Sequence, residues 1–409
     1  MEPIFITRRH WSKLKLIKLK GEIMKYTKIW GLAFFLTILS QNALASQVTS
    51  NADINLYGSI KQYFVWGNNN FTLPPPTYPA NTAYNGLKNG NQFTVFQTYT
   101  GTTKLGLDVK SDKIQANIES DFESDNNTLW LLKAYFKYQI NNNLSLLVGN
   151  ANMVGELNTY SDNYYAMPGF NQTWPFGMDQ IRLDGKFEID KLILKPTVAL
   201  EQLNRFFLTD DEIKSKNIST KMPGFGAKLD IEFPFLTSKA RVYSFLETQQ
   251  IYIYSKYSHW PYVYGSGVSL PTKNLTLQSE FVYGKGATNY VGLIESGDTQ
   301  SETEVPSCYS SANTARRFRA YNIEANYATN DYWGLYGGFD KLNFMNDLNS
   351  SNQSIQSADG KFLGISYNLT KSTTLRLEYD LFSTQYYNQS KHITTSRARQ
   401  LFLSAQYDF

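Results

Sequence analysis

Apolar and polar residues alternate along most of this chain, over stretches that often reach nine residues or more. Because successive side chains of a β-strand point to opposite faces, this period of two predicts strands with one apolar and one polar face. Strands of soluble proteins usually run about five or six residues, whereas a tilted strand needs about 9–11 to cross a bilayer. The lengths therefore favour a membrane-spanning sheet over a soluble β-sandwich. One example opposes Ile181, Leu183, Phe187 and Ile189 to Arg182, Asp184, Lys186 and Glu188.

The connections between the alternating stretches differ systematically in length. Short ones carry Asn, Asp, Ser or Pro, which suit tight reversals, and four are long: 67–98, 151–178, 285–315 and 385–398. Short turns at one rim and long loops at the other are typical of outer-membrane barrels. We therefore predict an all-β fold, a transmembrane antiparallel β-barrel of about 16 strands. The predicted strands are 53–66, 99–110, 113–123, 129–140, 143–150, 179–190, 191–204, 221–233, 239–254, 257–270, 273–284, 316–328, 331–344, 360–369, 372–384 and 399–409.

The last strand alternates as clearly as any other and ends on an aromatic residue. Leu401, Leu403, Ala405, Tyr407 and Phe409 share one face, and polar residues share the other. An even number of strands returns this end of the chain to the rim where the first strand begins. We therefore expect the last strand to pair with the first, around residues 54–60, and to close the barrel with its apolar face toward lipid.

The composition is compatible with such a barrel. Aromatic residues make up 15% of the 409 residues and charged residues only 18%, and many Tyr, Trp and Phe lie near the predicted strand ends, as in interfacial girdles. After residue 40 no run of about 20 apolar residues occurs, so a helical membrane protein is excluded for that part of the chain.

The amino-terminal region is predicted to be an export signal. Residues 24–45 combine Lys25 and Lys28 with a short apolar stretch and the small-x-small sequence Ala43-Leu44-Ala45. Residues 1–23 are basic and fit no part of a barrel, so we interpret them as a mis-annotated or extended start. The mature protein is then a single transmembrane β-barrel domain, 46–409.

Removal of residues 1–45 changes the charge balance. That segment holds eight Lys or Arg and two Asp or Glu, so the 39 basic and 35 acidic residues of the chain fall to 31 and 33. The mature chain is therefore slightly acidic, and its charge gives no indication of nucleic-acid binding. Cys308 is the single cysteine, so no intrachain disulfide is expected.

Four short segments and the terminal Phe409 resemble the sixteen-stranded general porins of Gram-negative outer membranes, including the DcaP-like group. The resemblance covers most of residues 53–409. It implies a homotrimeric channel in the cell outer membrane that contacts outer-membrane lipid and lipopolysaccharide. The segments are Asn55-Leu56-Tyr57-Gly58-Ser59-Ile60, Thr103-Lys104-Leu105-Gly106-Leu107, Glu119-Ser120-Asp121-Phe122 and Leu132-Lys133-Ala134-Tyr135-Phe136.

The resemblance also implies a pore constriction. In such porins the loop after strand five folds inward, and here that loop is 151–178, whose Met167-Pro168-Gly169-Phe170 lacks the acid of the family's tip. Basic residues on the polar register of their strands would face acids and aromatic residues of the loop. The basic wall would be Lys104, Lys133 and Arg182, and the loop would supply Glu156, Asp162, Tyr160, Tyr164 and Tyr165.

The implied function is passive diffusion of small hydrophilic solutes and ions, with no cofactor and no metal. Two alternatives stay open: a substrate-specific channel for sugars or aromatic compounds, and an adhesin or receptor barrel. Tyr407 and Phe409 would form the signal that the barrel-assembly machinery reads. We do not expect an enzyme, because His259 and His392 are the histidines left after signal removal and neither lies in a nucleophile motif.

Overall fold

The structure is a computed structural model, in which nearly every described residue belongs to a strand or a tight turn. Within the described residues, no helix is long and apolar enough to cross a membrane. It describes residues 52–67, 95–123, 128–155, 159–161, 177–203, 219–253, 257–287, 290, 309–311, 314–345, 354–387 and 393–409.

Twenty-one strands follow one another in these ranges. They are β1 (Asp53–Gly67), β2 (Val95–Ser111), β3 (Ile114–Glu123), β4 (Thr128–Gln139), β5 (Leu144–Ala151), β6 (Met178–Gly185), β7 (Phe187–Ile189), β8 (Leu192–Glu201), β9 (Gly224–Phe235), β10 (Ser238–Thr248), β11 (Ile251–Ile253), β12 (Tyr257–His259), β13 (Tyr262–Pro271), β14 (Leu275–Lys285), β15 (Tyr309–Ser311), β16 (Thr314–Ala315), β17 (Arg317–Ala328), β18 (Trp333–Met345), β19 (Ser354–Thr370), β20 (Thr373–Tyr387) and β21 (Ile393–Asp408).

Seventeen of these strands form one sheet, which closes because β1 pairs with both β2 and β21. β6 and β7 are two parts of one barrel strand, since both pair with β8 in a single register. Pro196 of β8 lies at the interruption, and without an N–H it cannot complete the ladder there. The barrel of the described chain therefore has sixteen strands, and β11–β12 and β15–β16 are small separate hairpins.

Each of the sixteen predicted strands overlaps one barrel strand, so the predicted barrel is confirmed. The predicted ends differ from the observed ones at several strands; β2 and β21, for example, begin at Val95 and Ile393 rather than at 99 and 399. The predicted strands 239–254 and 257–270 were too long, because the β11–β12 hairpin occupies the end of one and the start of the other. β19 begins at Ser354 rather than residue 360, because its first residues pair with β20 without continuing the apolar alternation.

The distribution of buried and exposed side chains is the reverse of that in a soluble protein: many apolar side chains are exposed and many polar ones are buried. On β17, Ile323 faces outward and is 62% exposed, whereas Asn322 and Glu324 face the lumen and are 0% and 1% exposed. The same inversion recurs around the barrel, where Leu363 is 68% exposed beside the buried Phe362. Apolar side chains on the outside and polar ones inside are what a lipid environment requires. The chain is a transmembrane β-barrel.

The two rims of the barrel differ as predicted. At one rim, which we call the turn rim, the strands are joined by tight turns such as 112–113, 190–191 and 371–372. Asp112 and Asp190 adopt positive φ angles of 41° and 53° there, which Asp tolerates in turns. At the opposite rim, the loop rim, the connections are longer: they include 68–94, 152–177, 202–223 and 286–316. The predicted long connection 385–398 was wrong, because β20 and β21 extend into it and leave only 388–392 between them.

The last strand closes the barrel against the first. β21 pairs with β1 from Asp408 opposite Ser59 to Gln400 opposite Gly67. Phe409 then exchanges backbone hydrogen bonds with Gly58, at 3.0 and 3.1 Å. The predicted partner segment, residues 54–60, was therefore too close to the amino terminus, because the chain ends opposite Gly58 and not at the start of β1.

Two glycines of the family-like segments make room for aromatic rings at this seam. A Cβ on Gly58 would lie 2.7 Å from Cζ of Phe409, and a Cβ on Gly106 would lie 2.2 Å from Cζ of Tyr57. Any larger residue would displace these rings. The segments Tyr57-Gly58 and Leu105-Gly106 therefore have a packing reason, independent of their resemblance to a family.

Candidate pore constriction

A water-accessible cavity occupies the lumen between the start of the loop after β5 and the turn rim. Its volume is about 890 Å³. Basic side chains outnumber acidic ones on its walls, so the lining of the cavity has a net positive charge. They are Lys133, Lys137, Arg182, Lys186, Lys195 and Lys228 against Asp108, Glu119, Asp184 and Asp230.

Two of the three predicted basic wall residues meet at one carboxylate. Glu119 of β3 lies 3.1 Å from Nζ of Lys133 and 3.9 Å from Nζ of Lys104. The hydroxyl of Tyr57 donates a hydrogen bond to the other Glu119 oxygen at 2.9 Å and accepts one from the Asn117 amide at 2.8 Å. The Glu119 side chain is only 7% exposed, whereas that of Lys133 is 26% exposed. The lysines therefore present the positive charge to the lumen while the carboxylate stays behind them.

The third predicted residue, Arg182 of β6, connects the wall to the loop. Its Nε lies 2.9 Å from Asp184 Oδ1, and its Nη1 donates a hydrogen bond to the carbonyl oxygen of Asn152 at 3.2 Å. Lys137 binds the other oxygen of Asp184 at 3.0 Å. Arg182 thus belongs to a second basic group, separate from Glu119, and holds the first residues of the loop.

The loop after β5 leaves the wall and enters the lumen, as predicted. The N–H of Val154 donates to Glu201 at 3.1 Å, and the N–H of Gly155 donates to Glu247 at 2.5 Å. The hydroxyl of Tyr290 donates to the Gly155 carbonyl. Glu201 and Glu247 stand on β8 and β10 and are 1% and 0% exposed, so the loop covers them.

The next described stretch, 159–161, lies against the wall formed by β17 to β20. Glu324 accepts hydrogen bonds from the Thr159 hydroxyl at 2.6 Å and from the Tyr160 N–H at 2.7 Å. The Ser161 hydroxyl donates to Glu378 at 2.5 Å. The loop is therefore tethered at four strands, β8, β10, β17 and β20, by wall carboxyl groups that accept its hydrogen bonds.

Tyr160 is the one predicted loop residue in the described part of the chain. Its ring packs against Tyr336, Phe362 and Phe382. Burial, and to a lesser degree the Glu324 carboxylate, raises the pKa of the Tyr160 hydroxyl above its ordinary value, so that hydroxyl is neutral at physiological pH. The other four, Glu156, Asp162, Tyr164 and Tyr165, lie outside the described residues.

The carboxylates that tether the loop were missed in the sequence. Each of them occupies an inward position of an alternating strand: Glu201, Glu247, Glu324 and Glu378. In the sequence, such a position cannot be distinguished from that of an acid that faces the water of the lumen. What distinguishes them is the loop backbone above them, which strand periodicity does not reveal.

A second, smaller cavity lies beside the tethered stretch. Its volume is about 220 Å³, and it combines two cations with hydroxyl, amide and aromatic groups. Its lining residues are Lys61, Thr159, Tyr160, Ser161, Asn326, Tyr336, Ser366 and Arg376.

In the ranges that the structure describes, no group of three or more His, Cys, Asp or Glu side chains is placed to hold a metal ion. His259 ends the short strand β12, and His392 and Cys308 lie outside the described residues.

The barrel is similar to several solved outer-membrane channels. The outer membrane channel DcaP of Acinetobacter baumannii is 16% identical, with 88% of this chain and 98% of that chain covered and a TM-score of 0.67. An anion-selective porin from Comamonas acidovorans is 10% identical, with 88% and 100% covered and a TM-score of 0.56. The trimer form of OmpT, an outer membrane protein of Vibrio cholerae, is 11% identical, with 88% and 100% covered and a TM-score of 0.54.

No family model and no curated protein sequence matches the chain. The likeness is therefore one of structure, at low sequence identity, and it includes the whole barrel. This chain has the fold of the outer-membrane porins.

Proposed function

We propose that this chain is a porin of the Gram-negative outer membrane, a passive diffusion channel for small hydrophilic solutes and ions. The observation that carries the proposal is a wide polar lumen inside a closed barrel with an apolar exterior, narrowed by a loop tethered to the wall. A closed sheet leaves no unpaired backbone in lipid, and a polar lumen keeps water in the pore.

The wall charges would act on solutes through their field. Lys104 and Lys133 around Glu119, and Arg182 at the base of the loop, form the basic side of the constriction. Glu156 and Asp162 would face them, with Tyr160, Tyr164 and Tyr165 as an aromatic surface. Opposed charges across a narrow wet passage align polar solutes, while apolar solutes must displace ordered water.

Planar-bilayer recording of the purified protein tests the channel itself. We expect stepwise openings of uniform size, in groups of three if the protein is a homotrimer. A membrane that stays silent at protein amounts that give insertion of a control porin would contradict the proposal.

Several partners belong to the same proposal. A homotrimer is supported by the trimer form of the similar OmpT. Export would remove residues 24–45 with the preceding 1–23, leaving 46–409, and the barrel-assembly machinery would read Tyr407 and Phe409. Those two rings stack at a centroid distance of 6.1 Å on the exposed outer face, where an insertion factor can reach them.

A substrate-specific channel is the second candidate, and the cavity of about 220 Å³ favours it. Lys61 and Arg376 could hold an acidic or hydroxyl-rich group while Tyr160 and Tyr336 contact an apolar part. A panel of sugars and aromatic acids should then block the current at concentrations where other small solutes do not. Equal effects of all solutes would favour the general channel.

A further inference from the structure

The outer face of β17 to β21 changes character part of the way toward the loop rim. On β21 the outward residues run from Tyr407 through Leu403 and Leu401 and then become Arg399 and Arg397. The neighbouring strands change in the same way, with outward cations at Arg319 on β17, Lys341 on β18 and Lys361 on β19. We call Arg319, Lys341, Lys361, Arg397 and Arg399 the outer basic cluster.

The strand register places most of these residues in two adjacent rows across the sheet. Lys341 lies opposite Asp359, Asp359 opposite Ser383, and Ser383 opposite Arg397. In the next row toward the turn rim, Lys361 lies opposite Leu381, and Leu381 opposite Arg399. Arg319 lies opposite Asn343, two residues along β18 from Lys341 on the loop-rim side. Backbone pairing therefore places the five cations in neighbouring rows of the outer face of β17 to β21.

The cluster carries five cations around one acid. Lys341, Lys361 and Arg397 all act electrostatically on Asp359, and Lys361 also lies 5.8 Å above the outward-facing ring of Phe339. Arg319, Lys361, Arg397 and Arg399 are exposed. Over the described outward positions of these strands, the cluster combines five cations with one acid, an excess of basic residues that gives this part of the outer face a positive field.

Its height matches a membrane boundary. From Tyr407 at the turn rim to Arg397, a strand tilted as in outer-membrane barrels rises about 26 Å, and the apolar band of such barrels is about 25 Å tall. The cluster then lies at headgroup level on the loop-rim side. At a similar height on β9, β13 and β14 the outward residues are aromatic, namely Phe225, Tyr262, Tyr264 and Tyr283. At this height, β9, β13 and β14 thus present aromatic side chains to the lipid, whereas the outer basic cluster presents charged ones.

We propose that the outer basic cluster binds the phosphate groups of an anionic lipid headgroup in the leaflet at the loop rim. The inference rests on the proposed outer-membrane location. Arg pairs with phosphate through two parallel hydrogen bonds, and several cations together suit a headgroup with more than one phosphate. A second copy of the chain would need a matching acidic face, but among the described outward strand positions the acids are Asp179 and Asp359.

The test compares two variants of the purified full-length channel with equal loss of charge. The first changes Lys341→Gln, Lys361→Gln and Arg397→Gln within the cluster. The control changes Lys113→Gln, Lys191→Gln and Lys273→Gln, three exposed lysines in tight turns at the opposite rim. Each protein, in detergent, is titrated with bisphosphorylated lipid A or with the same lipid after removal of both phosphates, and bound lipid is counted by native mass spectrometry.

We expect wild type and the control variant to bind the bisphosphorylated lipid equally, and the cluster variant to bind it at least about tenfold more weakly. The dephosphorylated lipid should bind all three proteins with the same low affinity. Equal affinity of wild type and cluster variant, or of the two lipids for wild type, would overturn the proposal. So would a cluster variant that keeps the lipid but dissociates into monomers, because the cluster would then be a subunit contact.

Bilayer recordings of the same three preparations separate this inference from the proposed function. The cluster lies outside the lumen, so all three proteins should conduct alike. If all three are silent, the channel proposal fails, and the lipid titration still decides the fate of the cluster.

Discussion

Single glutamate side chains hold the inward loop in place. Among the described residues, Glu324 accepts two hydrogen bonds from the loop, whereas Glu201, Glu247 and Glu378 accept one each. Glu324 accepts from Thr159, from the Tyr160 N–H and from the Gln278 amide at 2.6–2.7 Å. An amide in its place would keep one acceptor oxygen and replace the other by an NH2 group, so the donors on one side of the carboxylate would lose their acceptor. The stability of the loop in its inward position therefore depends on this side chain being a carboxylate.

Glu324→Gln should loosen the loop. Leaving one buried donor unpaired costs about 1–3 kcal/mol, so fluctuations of the open-channel current should rise about tenfold or more. Single-channel recording measures this. Glu188→Gln is the matched control, since Glu188 is an exposed carboxylate near the turn rim, paired with Lys186. Identical current noise in both variants would exclude Glu324 as a tether.

Lys133→Glu should move the selectivity of the pore toward cations. The new carboxylate would stand beside Glu119 in place of a cation 3.1 Å away, reversing the local field in the cavity. The reversal potential in a salt gradient reports the change. The same substitution at Lys191, exposed in a turn, should leave the reversal potential unaltered; a shift of equal size there would show that position in the lumen does not matter.

The lumen-facing position of Lys104, Lys133 and Arg182 was predictable from strand parity, but their partners were not. Glu119 lies opposite Lys133 because β3 and β4 keep one register from Ile114 to Glu119, and the register shifts only after this pair. Alternation along each strand gives neither the register between the two strands nor the place of the bulge. Sequence therefore identifies the face of a side chain in this barrel more reliably than its neighbour.

At the scale of elements, the contact between β1 and β2 depends on an aromatic ring seated on a glycine. Gly106→Ala would place a Cβ 2.2 Å from the Tyr57 ring, which must then move away from Glu119 and Asn117. We expect a loss of about 1–3 kcal/mol in unfolding free energy, measured by denaturant unfolding in detergent. In a double-mutant cycle, Gly106→Ala should lower the unfolding free energy much less in the Tyr57→Ala background than in the wild type. Additive losses would contradict the ring-on-glycine contact.

Strand identity followed from the sequence, whereas several strand ends did not. β19, β20 and β21 extend toward the loop rim beyond the residues whose outward positions are apolar. Outward Asp359, Lys361 and Arg397 interrupt the alternation that predicts a lipid-facing strand, although the backbone ladder continues. The predicted strands ended near these residues because apolar periodicity indicates only the part of a strand that contacts lipid. The backbone hydrogen bonds between the strands continue beyond that part.

Across the whole molecule, the two signs of charge are separated by depth as well as by position. The tethering carboxylates Glu201, Glu247, Glu324 and Glu378 are at most 1% exposed beneath the loop, whereas Lys133 and Arg182 reach the water of the large cavity. Mobile ions in this cavity therefore meet more positive than negative charge, even though the chain has similar numbers of basic and acidic residues, 39 and 35.

The pore should consequently favour anions. Reversal potentials in potassium chloride gradients should give a permeability for chloride above that for potassium at about 0.1 M salt. The preference should weaken toward 1 M, because the screening length falls from about 10 Å to about 3 Å. Cation preference at low salt would mean that residues outside the described ranges dominate the field.

The pairing of Gly58 with Phe409 brings the beginning of the first strand and the end of the last one together as neighbours in the sheet. A circular permutant could therefore join them by a short linker and open the chain in the 68–94 connection at the loop rim. Such a protein should refold in detergent with the same barrel, since every ladder is preserved. If the barrel-assembly machinery reads Tyr407 and Phe409 at a free carboxyl terminus, as proposed, the permutant should accumulate unassembled in cells. The permutant thus tests closure of the barrel and the proposed assembly signal separately.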